Sequence, residues 1–293
     1  MNLKPYLGLF ILLISCQPKE IRIDYFGQTP PDITPKLFAP QVICLEDRFE
    51  AKGAFSPDGN SFYFTIANSD FTQQKIFFCE FINGKWTEAD TASFSKKYNN
   101  HEPFFSYDGQ KIYYSSDRDK DTTSNLRDLY VSEKMDGSWS ESIKLPEPIN
   151  SDYTELVFNQ SAKGTIYFTS DRPGGIGEWD IYSVKNNNVV NIGSPINEGF
   201  AWDPCIAPDE SYLIFNSFKE DGYGESDLYI SFKENSNWTE PENLGNQINT
   251  AANEYGPFLS PDNKYLFFVR HDGIRGDIYW VDLKIINDLK PKV

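Results

Sequence analysis

From about residue 50 onward the chain alternates short apolar runs with clusters of turn-forming residues. The runs Phe62-Tyr63-Phe64-Thr65, Ile112-Tyr113-Tyr114-Ser115, Ile166-Tyr167-Phe168-Thr169, Leu213-Ile214-Phe215-Asn216 and Leu266-Phe267-Phe268-Val269 are rich in aromatic and β-branched residues. They are too short for helices and apolar on both faces, which predicts strands covered on two sides. Each is followed by a second strand signal: Asp128-Leu129-Tyr130, Asp180-Ile181-Tyr182, Asp227-Leu228-Tyr229 and Asp277-Ile278-Tyr279, with Lys75-Ile76-Phe77 as a weaker first copy. No convincing helical stripe occurs between residues 16 and 293.

Ahead of each apolar run stands a corner: Phe55-Ser56-Pro57-Asp58-Gly59, Phe105-Ser106-Tyr107-Asp108-Gly109, a degenerate Asn159 to Gly164, Ile206-Ala207-Pro208-Asp209-Glu210 and Leu259-Ser260-Pro261-Asp262-Asn263. Proline presets φ and glycine accepts positive φ, so these read as tight turns between two strands. With Ala162 as the turn position of the third copy, the copies are spaced 50, 54, 47 and 53 residues apart. That is the period of a propeller blade. Asn83-Gly84 and Asp136-Gly137 mark hairpins between third and fourth strands. Trp86, Trp139 and Trp238 recur at one repeat position and are expected to pack between blades.

Copies two to four end in Ile149-Asn150, Ile196-Asn197 and Ile248-Asn249, whereas the fifth runs out near Leu283. Leu37 to Ile43 precedes copy one and looks like a fourth strand without a sheet. The expected fold is all-β: a five-bladed β-propeller of four-stranded antiparallel sheets over residues 37–293, its N-terminal segment completing the last blade and removing an open edge.

The signatures over residues 50 to 283 resemble the TolB-type, WD-like propeller repeat of bacterial envelope proteins. Ser116-Asp117-Arg118 and Ser170-Asp171-Arg172 are further echoes. The resemblance speaks for fold. TolB itself has six blades and an extra N-terminal domain, so its particular partners are not carried over.

The first fifteen residues place Lys4 before an apolar stretch from Tyr6 to Ile14, and Leu13-Ile14-Ser15-Cys16 resembles a bacterial lipoprotein cleavage site. The stretch is too short for a mature transmembrane span. The resemblance implies acylation of Cys16 and membrane attachment through several fatty chains. Residues 16–36, with Pro18, Pro30, Pro31 and Pro35, read as an extended tether. Gln17 after the cysteine favours outer-membrane sorting by the same resemblance, with the body facing the periplasm or the exterior.

The 293 residues carry 43 acidic against 27 basic side chains, a net charge of −16, which excludes nucleic acid as a partner; the 46 aromatic residues exclude disorder. Cys44, Cys79 and Cys205 show no CxxC spacing, which makes a zinc site improbable and leaves both a single disulfide and buried free thiols open.

The turn aspartates Asp58, Asp108, Asp209 and Asp262 are expected to bond turn amides, and Asp128, Asp180, Asp227 and Asp277 to hold neighbouring loops. Pro173-Gly174-Gly175-Ile176-Gly177 lies between strands and is not a phosphate loop. His101 and His271 belong to non-neighbouring copies and read as separate surface imidazoles. One carboxylate precedes the first strand of every copy: Glu50, Glu102, Glu155, Asp203 and Glu254, at offsets −8, −6, −7, −6 and −8 from the turn position. Since first strands line a propeller's axis, these predict a ring of acids at one mouth of the channel, able to attract a basic group or a divalent cation. Trp179, Trp202 and Tyr223 are candidate aromatic contacts for a peptide or sugar. With no nucleophile motif, no catalytic residue is assigned and no cofactor is required. The expected function is a monomeric, lipid-anchored envelope scaffold binding a protein, peptide or glycan; the alternative is a carbohydrate-active hydrolase or lyase using axial carboxylates.

Overall fold

A computed structural model describes residues 22–119 and 126–291; the leader and Cys16 lie outside the described residues. Five antiparallel sheets follow one another along the chain. Blade one consists of Phe49–Phe55, Ser61–Ala67 and Gln74–Ile82, with Lys85–Trp86 and Asp90–Thr91 as broken outer pieces. Blade two is Asn100–Phe105, Lys111–Ser116 and Asp128–Met135 with Ser138–Trp139 and Ile143–Lys144; blade three is Glu155–Gln160, Ile166–Ser170, Asp180–Lys185 and Asn188–Asn191. Blade four is Trp202–Ile206, Tyr212–Ser217 and Asp227–Glu234 with Asn237–Trp238 and Glu242–Asn243, and blade five Asn253–Leu259, Tyr265–His271 and Gly276–Asp282. The first strand of each blade contacts that of the next, and the fifth contacts the first, so five inner strands surround an axis. The molecule is a five-bladed propeller. Among the described residues only two short 3-10 helices occur, Ser93–Ser95 and Leu283–Leu289, and no helix is long and apolar enough to cross a membrane.

The second strands are the buried centre of each blade. Phe62, Phe64, Phe168, Phe215, Phe267 and Phe268 are fully enclosed, as sheets covered on both faces require. The corners behave as the turn chemistry dictates: Asp58, Asp108 and Asp262 each accept the hydroxyl of the serine two residues before and the amide two residues after. In the third copy the turn closes from Gly164 N to Ser161 O, matching Gly59 N to Ser56 O. Lys163, rather than Ala162, therefore holds the turn position. Asn83-Gly84 and Asp136-Gly137 have left-handed φ at both residues, the requirement of a twisted two-residue hairpin. Trp139 packs between blades one and two and donates from Nε1 to the Tyr63 hydroxyl at 2.9 Å.

Ring closure is borne out, with a shorter ribbon than Leu37 to Ile43. Lys36–Leu37 pairs antiparallel with Trp280 and Tyr279, and Phe38 N donates to Ile278 O at 2.8 Å. Pro40 has no N–H to continue the ladder, and the chain turns through Ala39 and Gln41, both at left-handed φ. The contact is then resumed by side chains. In blades two, three and four, Asn150, Asn197 and Asn249 accept from the backbone N–H of Leu129, Ile181 and Leu228 and donate to the carbonyl of the same residue. Each amide thus replaces one missing residue of a fourth strand. Ser95 takes the N–H of Ile76 in blade one, and the Cys44 thiol takes both groups of Ile278 in blade five.

Residues 22–36, expected as tether, instead pack on the propeller. Tyr25 is buried among Phe55, Tyr265, Phe267 and Trp280, and Phe26 stacks on Trp86 at 4.2 Å. The proline pattern masked three large apolar side chains, Ile23, Tyr25 and Phe26, which dock where blades one and five meet.

Candidate functional site

The five inner strands share one irregularity. Each has a β-bulge against its second strand, between Glu50 and Gly53, His101 and Phe104, Leu156 and Asn159, Trp202 and Cys205, and Tyr255 and Phe258. Counting six residues back from the turn position places Lys52, Glu102, Val157, Asp203 and Gly256 at one equivalent position within these bulges. Four of them, all but Lys52, have left-handed φ between 53° and 60°. For a glutamate, a valine and an aspartate that is a strained backbone, of the kind held in place where a side chain must be re-aimed.

The bulge ring is knitted from blade to blade. Glu102 N donates to Thr65 Oγ1, Val157 N to Ser115 Oγ and Glu102 Oε2, and Gly256 N to Asp203 Oδ2. With its amide turned so that Nδ2 faces the channel, Asn216 donates to Asp203 Oδ2 at 3.0 Å. Thr65, Ser115 and Asn216 close the apolar runs of the second strands in blades one, two and four, and there the polar end of the run serves the bulge of its own or the following blade.

The ring members other than Val157, with the residues just before each position, line an axial cavity of about 440 Å³. Lys52 also borders a smaller cavity of about 290 Å³ at the other mouth, walled by Phe55, Pro57, Phe105, Pro208 and Phe258, and so divides the channel. Four of the residues that line the larger cavity carry a buried polar atom with no hydrogen-bond partner: Lys52 Nζ, His101 Nε2, Asp203 Oδ1 and Tyr255 OH. An unpaired buried polar atom costs about 1–3 kcal/mol, so four on one cavity amount to a site built for a polar occupant.

Two of the cavity's carboxylates, Glu102 and Asp203, differ electrostatically. Burial and the neighbouring Glu102 charge push Asp203 up to about 7. Burial acts the same way on Glu102, but His101, Lys52 and the Ser115 hydroxyl outweigh it and hold that carboxyl down at about 2. Of the two, Asp203 is the carboxyl held toward its protonated form. Burial lowers His101, so its ring is neutral at pH 7. Its Nδ1 lies 3.3 Å from Glu102 Oε2, which fixes the proton on Nδ1 and leaves Nε2 as an unpaired acceptor. Burial raises Tyr255 well above its usual value, and it stays a donor.

Structure divides the five expected acids. Glu102 and Asp203 meet in the channel. Glu50, Glu155 and Glu254 sit two residues earlier in the repeat, fully buried, and pair with Arg48, Arg172 and Arg270. There Glu155 and Glu254 also take the amide and hydroxyl of Ser151 and Thr250, an arrangement that pins each blade's entry loop. A three-residue sequence window could not separate these classes, because the bulge and the side-chain period of two decide where a side chain points. Lys52 was missed, and an offset of six residues from each turn was the signal that would have found it. His101 and His271, read as separate surface groups, both line the axial cavity, and His101 is buried.

Trp202 stacks on Trp179 at 4.6 Å and meets Phe200 at 5.2 Å, and Phe200 meets the exposed Phe218 at 4.4 Å. These rings form a shelf at the cavity mouth, to which Trp202 and Phe218 contribute directly. Tyr223 is exposed and outside the stack; its backbone N–H serves Asp227. Asp180 and Asp227 hold the loops ahead of them through two backbone N–H groups each, and Gly175 is required because a Cβ there would lie 1.9 Å from Asp180 Oδ2. Cys44, Cys79 and Cys205 are all buried free thiols.

No family model and no curated protein matches the sequence. Solved structures do. TolB from Acinetobacter baumannii superposes with a TM-score of 0.52 at 14% identity, over 81% of this chain and 55% of that one. A protein of Agrobacterium tumefaciens described as a TolB gives 0.52 at 14% identity, over 82% and 79%. The fold is that of a TolB-type β-propeller. The chain spans about half the length of the Acinetobacter TolB, and the likeness speaks for the propeller alone. An α-L-arabinofuranosidase from Lactobacillus brevis aligns with a TM-score of 0.49 at 13% identity, over 79% and 89%.

Proposed function

We propose that the protein is a glycan-binding propeller of the bacterial envelope, anchored through acylated Cys16. The observation that carries this reading is the convergence of four unpartnered buried polar atoms on one cavity beside an aromatic shelf. Lys52 and Tyr255 offer donors, His101 Nε2 an acceptor, and a protonated Asp203 a donor. Such a mixture matches the vicinal hydroxyls of a sugar, each of which gives and accepts a hydrogen bond. Trp202 and Phe218 supply flat apolar faces for the C–H side of a second sugar unit. A protein partner would find less to grip here, since the polar atoms lie inside a cavity that admits one small group.

The opposed ionisation of Glu102 and Asp203 favours a second reading, hydrolysis of the bound glycan, with protonated Asp203 as acid and ionised Glu102 as base or nucleophile. A glycan array followed by calorimetry tests the first reading. Trp202→Ala and Asp203→Asn should each weaken binding at least tenfold without loss of fold; an array with no hit, or unchanged affinity in both variants, refutes it. Turnover of the bound glycan, abolished by Glu102→Gln, selects hydrolysis, and binding without turnover selects the lectin-like role.

A further inference from the structure

The seam where the N-terminal ribbon meets blade five departs from the other blades at three places, and the departures converge. Cys44 stands where Asn150, Asn197 and Asn249 stand elsewhere. Leu45 stands where Ser151 and Thr250 give a hydroxyl to Glu155 and Glu254, so Glu50 lacks that donor. Leu37, paired with Tyr279, stands where Lys144, Asn191 and Asn243 donate to Asp128, Asp180 and Asp227, so Asp277 lacks that one. Three donors have thus been exchanged for a thiol and two leucines around acceptors that were kept.

The outcome is a buried pocket of acceptors facing one another. Cys44 Sγ, one carboxylate oxygen of Glu50 and one of Asp277 all lie within 4.8 Å of one another. Asp277 Oδ1 has no hydrogen-bond partner and Glu50 Oε2 makes no hydrogen bond of normal geometry, the Leu45 N–H being the donor that approaches that carboxylate; the Glu50 side chain is completely enclosed. The other oxygen of each is used: Arg48 Nε holds Glu50 Oε1 and Arg275 Nε holds Asp277 Oδ2. Those ion pairs fix the orientation of both carboxylates.

We propose that Cys44, Glu50 and Asp277 form a structural site for a divalent zinc-like cation that locks the ring shut. One thiolate with two carboxylate oxygens suits a borderline-soft ion of small radius, whereas calcium and magnesium prefer oxygen alone. Bond lengths of about 2.3 Å to sulfur and about 2.1 Å to oxygen place such donors roughly 3.5 Å apart, so the three donors must draw together as the ion enters. Binding releases the thiol proton to solvent, and the thiolate keeps the N–H of Ile278 as a donor. Because the ligands come from the ribbon, the entry to blade one and the third strand of blade five, the site is assembled only when the ring is closed.

The test uses the purified full chain, stripped with a chelator and titrated with Zn²⁺ and then Co²⁺. One Zn²⁺ per chain should bind and raise Tm, and Co²⁺ should show the near-ultraviolet charge-transfer absorption of a thiolate ligand. Cys44→Asn installs the residue that does the same backbone work in blades two to four; it should fold without metal, lose the cobalt band and bind zinc at least tenfold more weakly. Asp277→Asn, which keeps shape and removes charge, should weaken zinc similarly, while Cys79→Ala should leave the band intact. A wild-type chain with neither a zinc-dependent rise in Tm nor a thiolate band, or a Cys44→Asn chain with undiminished zinc affinity, overturns the proposal. If Cys44→Asn does not fold, undiminished zinc affinity in Asp277→Asn overturns it equally.

Discussion

Replacing Phe38 by alanine tests whether closure of the ring supports the whole molecule. Phe38 is fully buried, with its ring 5.1 to 6.0 Å from those of Phe26, Phe55, Phe62, Phe267 and Trp280. It therefore joins the ribbon to both blade one and blade five. Truncating an enclosed phenylalanine costs about 3–5 kcal/mol, transfer and cavity together. Total stabilities lie around 5–15 kcal/mol, so a loss near 4 kcal/mol would remove a large fraction. The assay is equilibrium unfolding in urea, followed by tryptophan fluorescence and far-ultraviolet circular dichroism. Both probes should shift together to a lower midpoint with an unchanged slope, because the blades share their faces and unfold as one unit. Ile33→Ala in the same segment is the control: the side chain is 45% exposed and its loss should stay within about 0.5 kcal/mol. A Phe38→Ala loss below about 1 kcal/mol, or two separated transitions, would refute the reasoning.

Other consequences concern the interior. Arg172→Met should cost about 3–5 kcal/mol because it strands the enclosed Glu155, and adding Glu155→Gln should recover most of that loss. Chemical denaturation of the two variants and the double variant checks it. Asn249→Ala leaves the N–H and C=O of Leu228 without their side-chain partner and should cost about 2–4 kcal/mol, read in the same way, with hydrogen exchange at Leu228 accelerated. Asp203 holds its proton to about pH 7 in the folded chain against an ordinary 3.8, so between those values the folded state binds the extra proton. This group's contribution to stability falls as pH rises through that window and levels off above it. Asp203→Asn should thus gain in Tm over the parent on going from pH 4.5 to pH 8; a constant difference across that range would contradict the assignment.

How much of this was legible in the sequence differs by feature. The corners, the apolar runs and the hairpin dipeptides are local: Pro57-Asp58-Gly59 or Asp136-Gly137 impose their backbone geometry on whatever surrounds them. The count of five blades follows from repetition, and the need to cover both faces of runs such as Phe62 to Thr65 leads to radial stacking. The missing fourth strand of the last copy pointed to the N-terminus. Its true extent was hidden because Pro40 ends the ladder early and Cys44 resumes the contact through a side chain, which no strand propensity records. The docking of Tyr25 and Phe26 escaped notice for a similar reason, since a proline-rich composition says nothing about a hydrophobic seat waiting elsewhere.

The candidate site was only half visible. Acidic residues before each inner strand were evident, yet three of the five belong to buried pairs with Arg48, Arg172 and Arg270. By itself the chain determined what depends on neighbours a few residues apart: strand, turn, repeat and their number. Tertiary structure alone decided which side chains share a space. A bulge of one residue swings Lys52, Glu102 and Asp203 into the channel while their neighbours two positions earlier are walled in, and ring closure brings Cys44 against Asp277 from the far end of the chain. Both are matters of distance through space, where dielectric and pairing are set, and linear order carries neither.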